Sequence, residues 1–582
     1  MPNLTDIALE TLDLGAQLRG GTCHFKVWAP KAKQVVLRLN GRASEMRAAG
    51  NGYFETDARA AAGDKYFYLV DSEKPVPDPV SRLLPEGVHG QTEIVDPESF
   101  QWTDQHWRGI RYPEAVFYEL HIGTFTSEGT FEAAIAKLPY LKRLGVSMVE
   151  IMPVCAFPGT RNWGYDGVSP YSVQASYGGP NGLKKLVDAA HAIRLGVTLD
   201  VVYNHLGNEG NYLGMFGPYF TDRYKTPWGS GVNFDGPEAA EVRRYFMENA
   251  LFWIREYHMD GLRLDAVHAI FDNSQPHILQ EIASNVHALG KQLAREVCVI
   301  AESDQNDARL VRPPEQGGFG YDGVWSDDFH HAMHAVLTRE RDGYYQDYGQ
   351  TEQILKALNE GFIFQGEHFK YWDKLRGTGC GDVPRSAHVF CLQNHDQVGN
   401  RPRGDRLTTL ISRGAQKGAA ALLLLAPETP LLFMGEEYGE KNPFQFFTDF
   451  GDPVLQKAVV EGRRNEFKKF ASWGEVPDPQ DAQTFSRSKL SWQLDQEMLE
   501  WYWKLLEVRK KYVIREERTC KAEFSDEAIV MEIPRERPVL RVSVNFSGKV
   551  IADSSWKLEL VSDEDGCMVV VETNPDPSTR PY

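Results

Sequence analysis

Cysteine is scarce in this chain. Seven of 582 residues are cysteines (23, 155, 298, 380, 391, 520 and 567), an odd number with no CxxC pair. That excludes a disulfide framework and a zinc ribbon as the basis of the fold. HExxH is missing too, and the acidic stretch after Glu302 does not match a calcium-binding loop, so no metal or other cofactor is expected. Positive charge is in deficit. The 63 Lys and Arg against 81 Asp and Glu leave a net charge of −18. With no basic stripe to offset it, a nucleic-acid partner is not expected. Long apolar runs are also lacking. The most apolar stretch, residues 419–425, is soon broken by Pro427, Glu428 and Pro430. It falls far short of the roughly 20 residues a membrane helix needs. The first twenty residues contain Asp6, Glu10 and Asp13 and do not read as a signal peptide. The expectation is a cytoplasmic protein without membrane association.

The length allows two to four domains. Residues 1–100 read as β structure. HFKVWAP, QVVLRL and YFYLV have strand composition, and Gly50-Asn51-Gly52 marks a turn. Prolines 75, 77, 79 and 85 then read as an irregular connection. This region is expected to be a small β-sandwich of carbohydrate-binding type. From about 101 to 512 short apolar strands alternate with amphipathic helices. The strands are AVFYELHI, VSMVEIMPV, VTLDVVYNH, DGLRLDAV, CVIAES, YDGVWSDDF, AHVFCLQNHD and TPLLFMGEE. FEAAIAKLPYLKRLG reads as one helix between the first two. Eight strands separated by helices predict an α/β fold, a parallel sheet closed into a (β/α)8 TIM barrel. Residues 513–582 turn β-rich again and are expected to form a small C-terminal β domain.

In such a barrel the reacting groups sit at the C-terminal ends of strands. Four predicted strands end in polar clusters: Asp200 with Asn204-His205, Arg263 with Asp265 and His268, Glu302-Ser303-Asp304, and Asn394-His395-Asp396-Gln397. One carboxylate at a strand end is ordinarily a helix N-cap or a surface ion pair. Four such ends in one barrel point to shared chemistry. Glycoside cleavage needs an acid to protonate the leaving oxygen and a second carboxylate that attacks the sugar or activates water. Adjacent strands can hold two carboxylates at the ~5–5.5 Å of the retaining geometry. Arg263, two residues before Asp265, points to the same side of its strand and can hold that carboxylate ionised. Glu302 would then need a pKa raised by burial and nearby negative charge. SDDFHH, residues 326–331, follows the sixth strand. Asp327, Asp328, His330 and His331 could bind the far side of the cleaved bond, or an aspartate there could cap the helix. The segment 364–379 reads as a loop-rich insertion near the barrel mouth, with aromatics that could stack on sugars or simply pack.

Taken together, DVVYNH, GLRLDAVH, AES and QNHD resemble the four signature regions of the α-amylase superfamily (glycoside hydrolase family 13), in the same order. The resemblance covers residues from about 113 to 512. It implies that Asp265 is the nucleophile, Glu302 the general acid/base and Asp396 the transition-state stabiliser. It also implies that Arg263, His205 and His395 line that subsite and that Tyr165, in NWGYDG, stacks on the sugar. Asp200, Asn204, His268, Gln397 and Asn400 are carried as further substrate-binding candidates. Within the superfamily, DVVYNHLGNEGNYL, GLRLDAVHAI, SDDFHHAMHAVLT and LQNHDQVGNR most resemble the malto-oligosyltrehalose trehalohydrolase family. That implies malto-oligosyltrehalose as substrate and trehalose as product. The chain departs from many amylases at His268-Ala269, where Lys-His is common, and in a short loop after His205. A glycogen branching or debranching enzyme is the nearest alternative. Gln397 stands where the branching group usually has Glu. A non-catalytic glucan-binding relative would usually lack part of the carboxylate triad, which is complete here.

Overall fold

The computed structural model describes residues 13–71, 74–467, 476–514, 519–534, 536–550 and 552–575. The first twelve residues, part of the stretch read above for a signal peptide, lie outside these.

The N-terminal part pairs two four-stranded antiparallel sheets. In Thr22–Trp28 the alternating residues Cys23, Phe25 and Val27 are buried while His24 and Lys26 are not. This is the period-two pattern of a sheet with one covered face. Val35, Leu37, Tyr66 and Tyr68 come from the second sheet, and Phe25 meets Tyr66 edge to face at 5.0 Å. The sandwich is fastened to the barrel by Arg82, which pairs with Glu256 at 3.0 Å, and by the Tyr245 hydroxyl, which donates to Pro79 O at 2.7 Å.

Eight parallel strands close the barrel: β1 Phe117–Leu120, β2 Met148–Ile151, β3 Gly196–Val201, β4 Gly261–Leu264, β5 Cys298–Ala301, β6 Gly323–Trp325, β7 His388–Cys391 and β8 Thr429–Phe433. All eight predicted strands are present in the predicted order. The helix expected between β1 and β2 is two, Phe131–Ile135 and Leu138–Leu144. Pro139 cannot donate to the preceding turn, so the second helix starts there afresh. The barrel interior is layered. Phe117, Met148, Cys298, Ile300, Trp325, Val389, Cys391 and Leu431 belong to one apolar cluster. Two residues further along β1 and β2 the same inward face carries Glu119 and Glu150, opposite each other in register. On β3 and β4 the registered pair is Asp200 and Arg263. A buried charged layer thus lies over the apolar floor, toward the C-terminal ends of the strands.

The helix Gln496–Tyr512 packs on Arg413–Leu425. Buried Arg509 donates to Leu424 O, Ala426 O and Glu428 O, so a cation closes the C-terminal end of that helix. Beyond it five antiparallel strands form the C-terminal sheet. Glu564 of this sheet pairs with Lys417 at 2.6 Å and Arg413 at 3.1 Å. Among the described residues no helix is long and apolar enough to cross a membrane.

Candidate active site

Arg263 is the centre of the site. It is fully buried on β4, with its guanidinium over the Trp325 ring at 4.2 Å. Nη1 donates to Asp200 Oδ2 and to Asp265 Oδ1, each at 2.9 Å. Nη2 lies 3.9 Å from Glu302 Oε2. Asn204 Nδ2 donates to the other Asp265 oxygen at 3.0 Å. Both oxygens of Asp265 are therefore oriented by donors, and its carboxylate is held in one rotamer. Asp200 also accepts from the Tyr165 hydroxyl at 2.5 Å. Burial raises the Asp200 carboxyl to about 6 even though Arg263 opposes the shift. The three outermost inward positions of adjacent strands thus share one cation.

Glu302 follows β5 on its inward face. Its Oε2 accepts the Ala266 N–H at 2.6 Å. Ala266 adopts φ +39°, in the left-handed region. That conformation costs about 1 kcal/mol or more for a residue with a side chain, and here it belongs to the turn whose N–H reaches Glu302. Burial pushes the Glu302 carboxyl up to about 7. Arg263 opposes the shift, and the negative charges of Asp265 and Asp396 add to it. A carboxyl in that range can carry a proton at neutral pH and give it up during reaction.

Asp396 lies beyond β7. It accepts from Asn400 Nδ2 at 3.1 Å, and Asn400 is in turn held by Arg463 at 2.9 Å. The neighbouring His395 is clamped by Glu119. The His395 N–H donates to Glu119 Oε2 at 2.9 Å, and Nδ1 is 2.5 Å from Oε1. Burial disfavours the imidazolium, but Glu119 and Asp396 raise His395 to about 9. Tyr165 stacks on the His395 ring at 5.0 Å. Both His205 nitrogens face acceptors within the protein, Nδ1 at 2.6 Å from Asn204 Oδ1 and Nε2 at 3.0 Å from Tyr165 O. Its ring is covered by Trp228 at 4.2 Å and 5°.

A cavity of about 220 Å³ opens over these groups. His268, Glu302, Asp327, His331, Asp396, Gln397 and Asn400 line it. Asp328 and His330 do not. Asp328 is fully buried, and its carboxylate accepts from Asn306 Nδ2, Ile363 N and the Tyr348 hydroxyl, each at 2.6 Å. His330 spends Nδ1 on Leu392 O at 2.6 Å and Nε2 on the Tyr345 hydroxyl at 3.1 Å. The reason is helical geometry. Residues 327–338 form a helix from its first aspartate, so Asp327 and His331, four apart, share a face, and the residues beside them turn away. Neither aspartate is the cap, since Ser326 occupies that position and makes no side-chain cap bond. Burial and the charge of Glu302 raise Asp327 to about 8.

The sequence reading did not single out Glu119, Trp228, Tyr344 or Arg376 as site residues. Glu119 was findable, because it stands two residues after inward-facing Phe117. Arg376, Tyr371 and Trp372 belong to the flagged segment 364–379, which forms the hairpin Glu367–Phe369 and Lys374–Arg376 at the cavity rim. Among the described residues no group of three or more His, Cys, Asp or Glu is arranged to hold a metal ion.

A closed parallel barrel with a guanidinium-tied carboxylate, a second carboxyl poised near neutrality and a third across the cleft defines a site of the α-amylase class. The family model for the α-amylase catalytic domain matches residues 94–220. Malto-oligosyltrehalose trehalohydrolase from Saccharolobus solfataricus is 50% identical over 503 residues, covering 86% of this chain and 87% of the relative. The Brevibacterium helvolum protein of the same name is 41% identical over 566 residues, covering 94% and 95%. A candidate alpha amylase from Salmonella typhimurium superposes with TM-score 0.90 at 39% identity, covering 97% of this chain and 100% of that one. A pullulanase from Anoxybacillus sp. LM18-11, solved with maltotetraose, shares the fold at TM-score 0.69 and 18% identity, covering 99% and 89%. The chain belongs to the malto-oligosyltrehalose trehalohydrolase family, within the α-amylase superfamily.

Proposed function

We propose that this protein hydrolyses the α-1,4-glucosidic bond next to the terminal α,α-trehalose unit of a malto-oligosyltrehalose and releases trehalose. Family membership supports the substrate. The reaction type rests on one observation above all, that the Arg263 guanidinium reaches Asp200, Asp265 and Glu302 at once. Asp265, paired with Arg263 and aligned by Asn204, attacks the anomeric carbon. Glu302, carrying its proton, donates it to the departing glycosidic oxygen, and trehalose leaves. Water then gives its proton to the Glu302 carboxylate, attacks the glycosyl ester and frees Asp265, so configuration is retained. Asp396 and His395 stabilise the oxocarbenium-like sugar through its hydroxyls, with Tyr165 beneath it. Gln397, Asn400, Asp327, His331 and His268 are placed to meet the substrate along the cavity. Cysteine is scarce and forms no CxxC pair, which suits the reducing cytoplasm, and the reaction is assigned there.

The test is product analysis. The protein is incubated with maltotriosyltrehalose and, separately, with maltotetraose. Trehalose plus maltotriose from the first and little cleavage of the second is the expected result. Equal cleavage of both would leave a general glucan hydrolase, and new α-1,6 branches would mean a transferase. Proton NMR of the first product should show the α-anomer before mutarotation; an initial β-anomer would refute the double displacement.

A further inference from the structure

Glu119 commits both carboxylate oxygens to a single residue. Oε2 takes the His395 backbone N–H and Oε1 takes Nδ1. A carboxylate only accepts, so Nδ1 carries the proton in that bond. The second ring nitrogen, Nε2, lies 3.6 Å from Asp396 Oδ1, toward the cavity. The ring has no freedom to turn. Tyr165 stacks on one side, Trp163 stands edge-on at 5.6 Å, and Trp325 is tilted against it at 6.0 Å.

We propose that Glu119 is a positioning residue of this site: it holds His395 with both ring nitrogens protonated, so that Nε2 presents a donor beside Asp396 to the hydroxyls of the bound sugar. The proposal rests on the glycosidase reading above and adds a part to it. The groups facing His395 are Glu119 on β1, Glu150 on β2, Asp200 on β3, Arg263 on β4, Asp396 beside it, and His121 after β1. Burial and Arg263 work against a charged ring, and Glu119 is the larger counter-charge, ahead of Asp396. Without Glu119 less of the ring would be charged near pH 7, and in the neutral ring a single proton shared between two nitrogens would leave Nε2 an acceptor in part of the population. An acceptor facing the Asp396 carboxylate repels it and cannot bind the hydroxyl that Asp396 also needs.

The experiment has two readouts. In protein labelled with 13C-histidine, the His395 resonance, assigned by its loss in His395→Asn, should titrate above pH 8. In Glu119→Gln it should titrate lower by about 1–3 pH units, the scale of one nearby opposite charge. Glu119→Gln should also lower kcat/KM for maltotriosyltrehalose about 10–100-fold, the usual scale for losing the partner of a functional histidine. On the His395→Asn background the same substitution should change kcat/KM less than twofold. A His395 that is neutral at pH 7 in the unmodified protein overturns the proposal even if Glu119→Gln fails to fold. So does an equal loss of activity in both backgrounds. The titration needs no substrate. A protein that fails to release trehalose would therefore sink the function and leave the His395 result to be judged separately.

Discussion

Arg263 and Asp265 stand two residues apart on one strand, and a single nitrogen, Nη1, donates 2.9 Å to Asp265 and 2.9 Å to Asp200. The pair separates catalysis from stability. Asp265→Asn keeps the shape of the side chain and leaves Arg263 neutralised by Asp200. Circular dichroism and the denaturation midpoint should stay close to those of the parent. Turnover should fall at least about a thousandfold, the scale of a lost transition-state contact. Arg263→Ala leaves two buried carboxylates without their cation. It should cost about 3–5 kcal/mol in urea denaturation, as breaking a buried ion pair does. Near-native turnover in Asp265→Asn would remove it as nucleophile.

Glu302 is raised to about 7 by burial first, with Asp265 and Asp396 adding to the shift against Arg263. Its working form is the protonated acid. kcat/KM is therefore high below pH 7 and falls as pH rises through that value. A pH profile of kcat/KM from 4 to 9 checks this. A profile flat through pH 9 would mean that some other group donates the proton. Glu302→Gln should remove turnover while leaving substrate binding measurable by calorimetry.

The barrel was readable from sequence because each strand is a short apolar run bounded by a turn or helix. The site was readable because polar clusters at strand ends have no packing reason to recur on four strands. Glu119 and Glu150 escaped for the opposite reason. They stand inside apolar runs, where a strand-end rule does not look, and only the parity from Phe117 and Met148 turns them inward. Asp327 and Asp328 could not be told apart in SDDFHH, because which side chain faces the cavity depends on the helix phase, set by where its first turn begins. Trp228 is distant in sequence from every motif. Its stacking on His205 comes from the hairpin Phe220–Thr226 and Gly229–Val232 folding back over the mouth, a long-range contact that no local pattern encodes.

The helix phase makes a contrast between neighbours. Asp328 pairs with Arg376 at 3.2 Å and accepts the Ile363 and Phe364 N–H groups, so it pins the segment that carries the cavity-rim hairpin. Asp328→Ala should destabilise the fold by about 3–5 kcal/mol, because a buried guanidinium and two buried N–H groups lose their partner. Asp327→Asn, on the cavity side, should leave stability within about 0.5 kcal/mol and raise KM instead. If Asp328→Ala kept the parental midpoint and changed only KM, Asp328 would be a substrate ligand after all.

Glu436 and Glu437 follow β8 as adjacent buried acids that the proposed reaction does not use. Tyr502 donates to Glu436 at 3.1 Å and Gln393 at 3.3 Å. Tyr140 donates to Glu437 at 2.8 Å and Tyr118 at 3.1 Å. Burial raises Glu436 to about 8 and Glu437 to about 7, with the hydrogen bonds from Tyr140 and Tyr118 and, less strongly, Arg406 only partly offsetting the shift at Glu437. In the unfolded chain both would titrate near 4.5. Above that value the folded state holds protons that the unfolded state has released, so stability falls with rising pH. The contribution is complete below about pH 4.5 and is lost as pH climbs through the folded values near 7 and 8. Thermal unfolding from pH 5 to 9 should therefore show a declining Tm whose slope eases above pH 8. In Glu436→Gln/Glu437→Gln the amides keep the tyrosine hydroxyls as donors but cannot ionise, and the decline should be clearly shallower. An unchanged slope in the double variant would mean that both carboxyls are already ionised in the fold, with their charge compensated from Arg406.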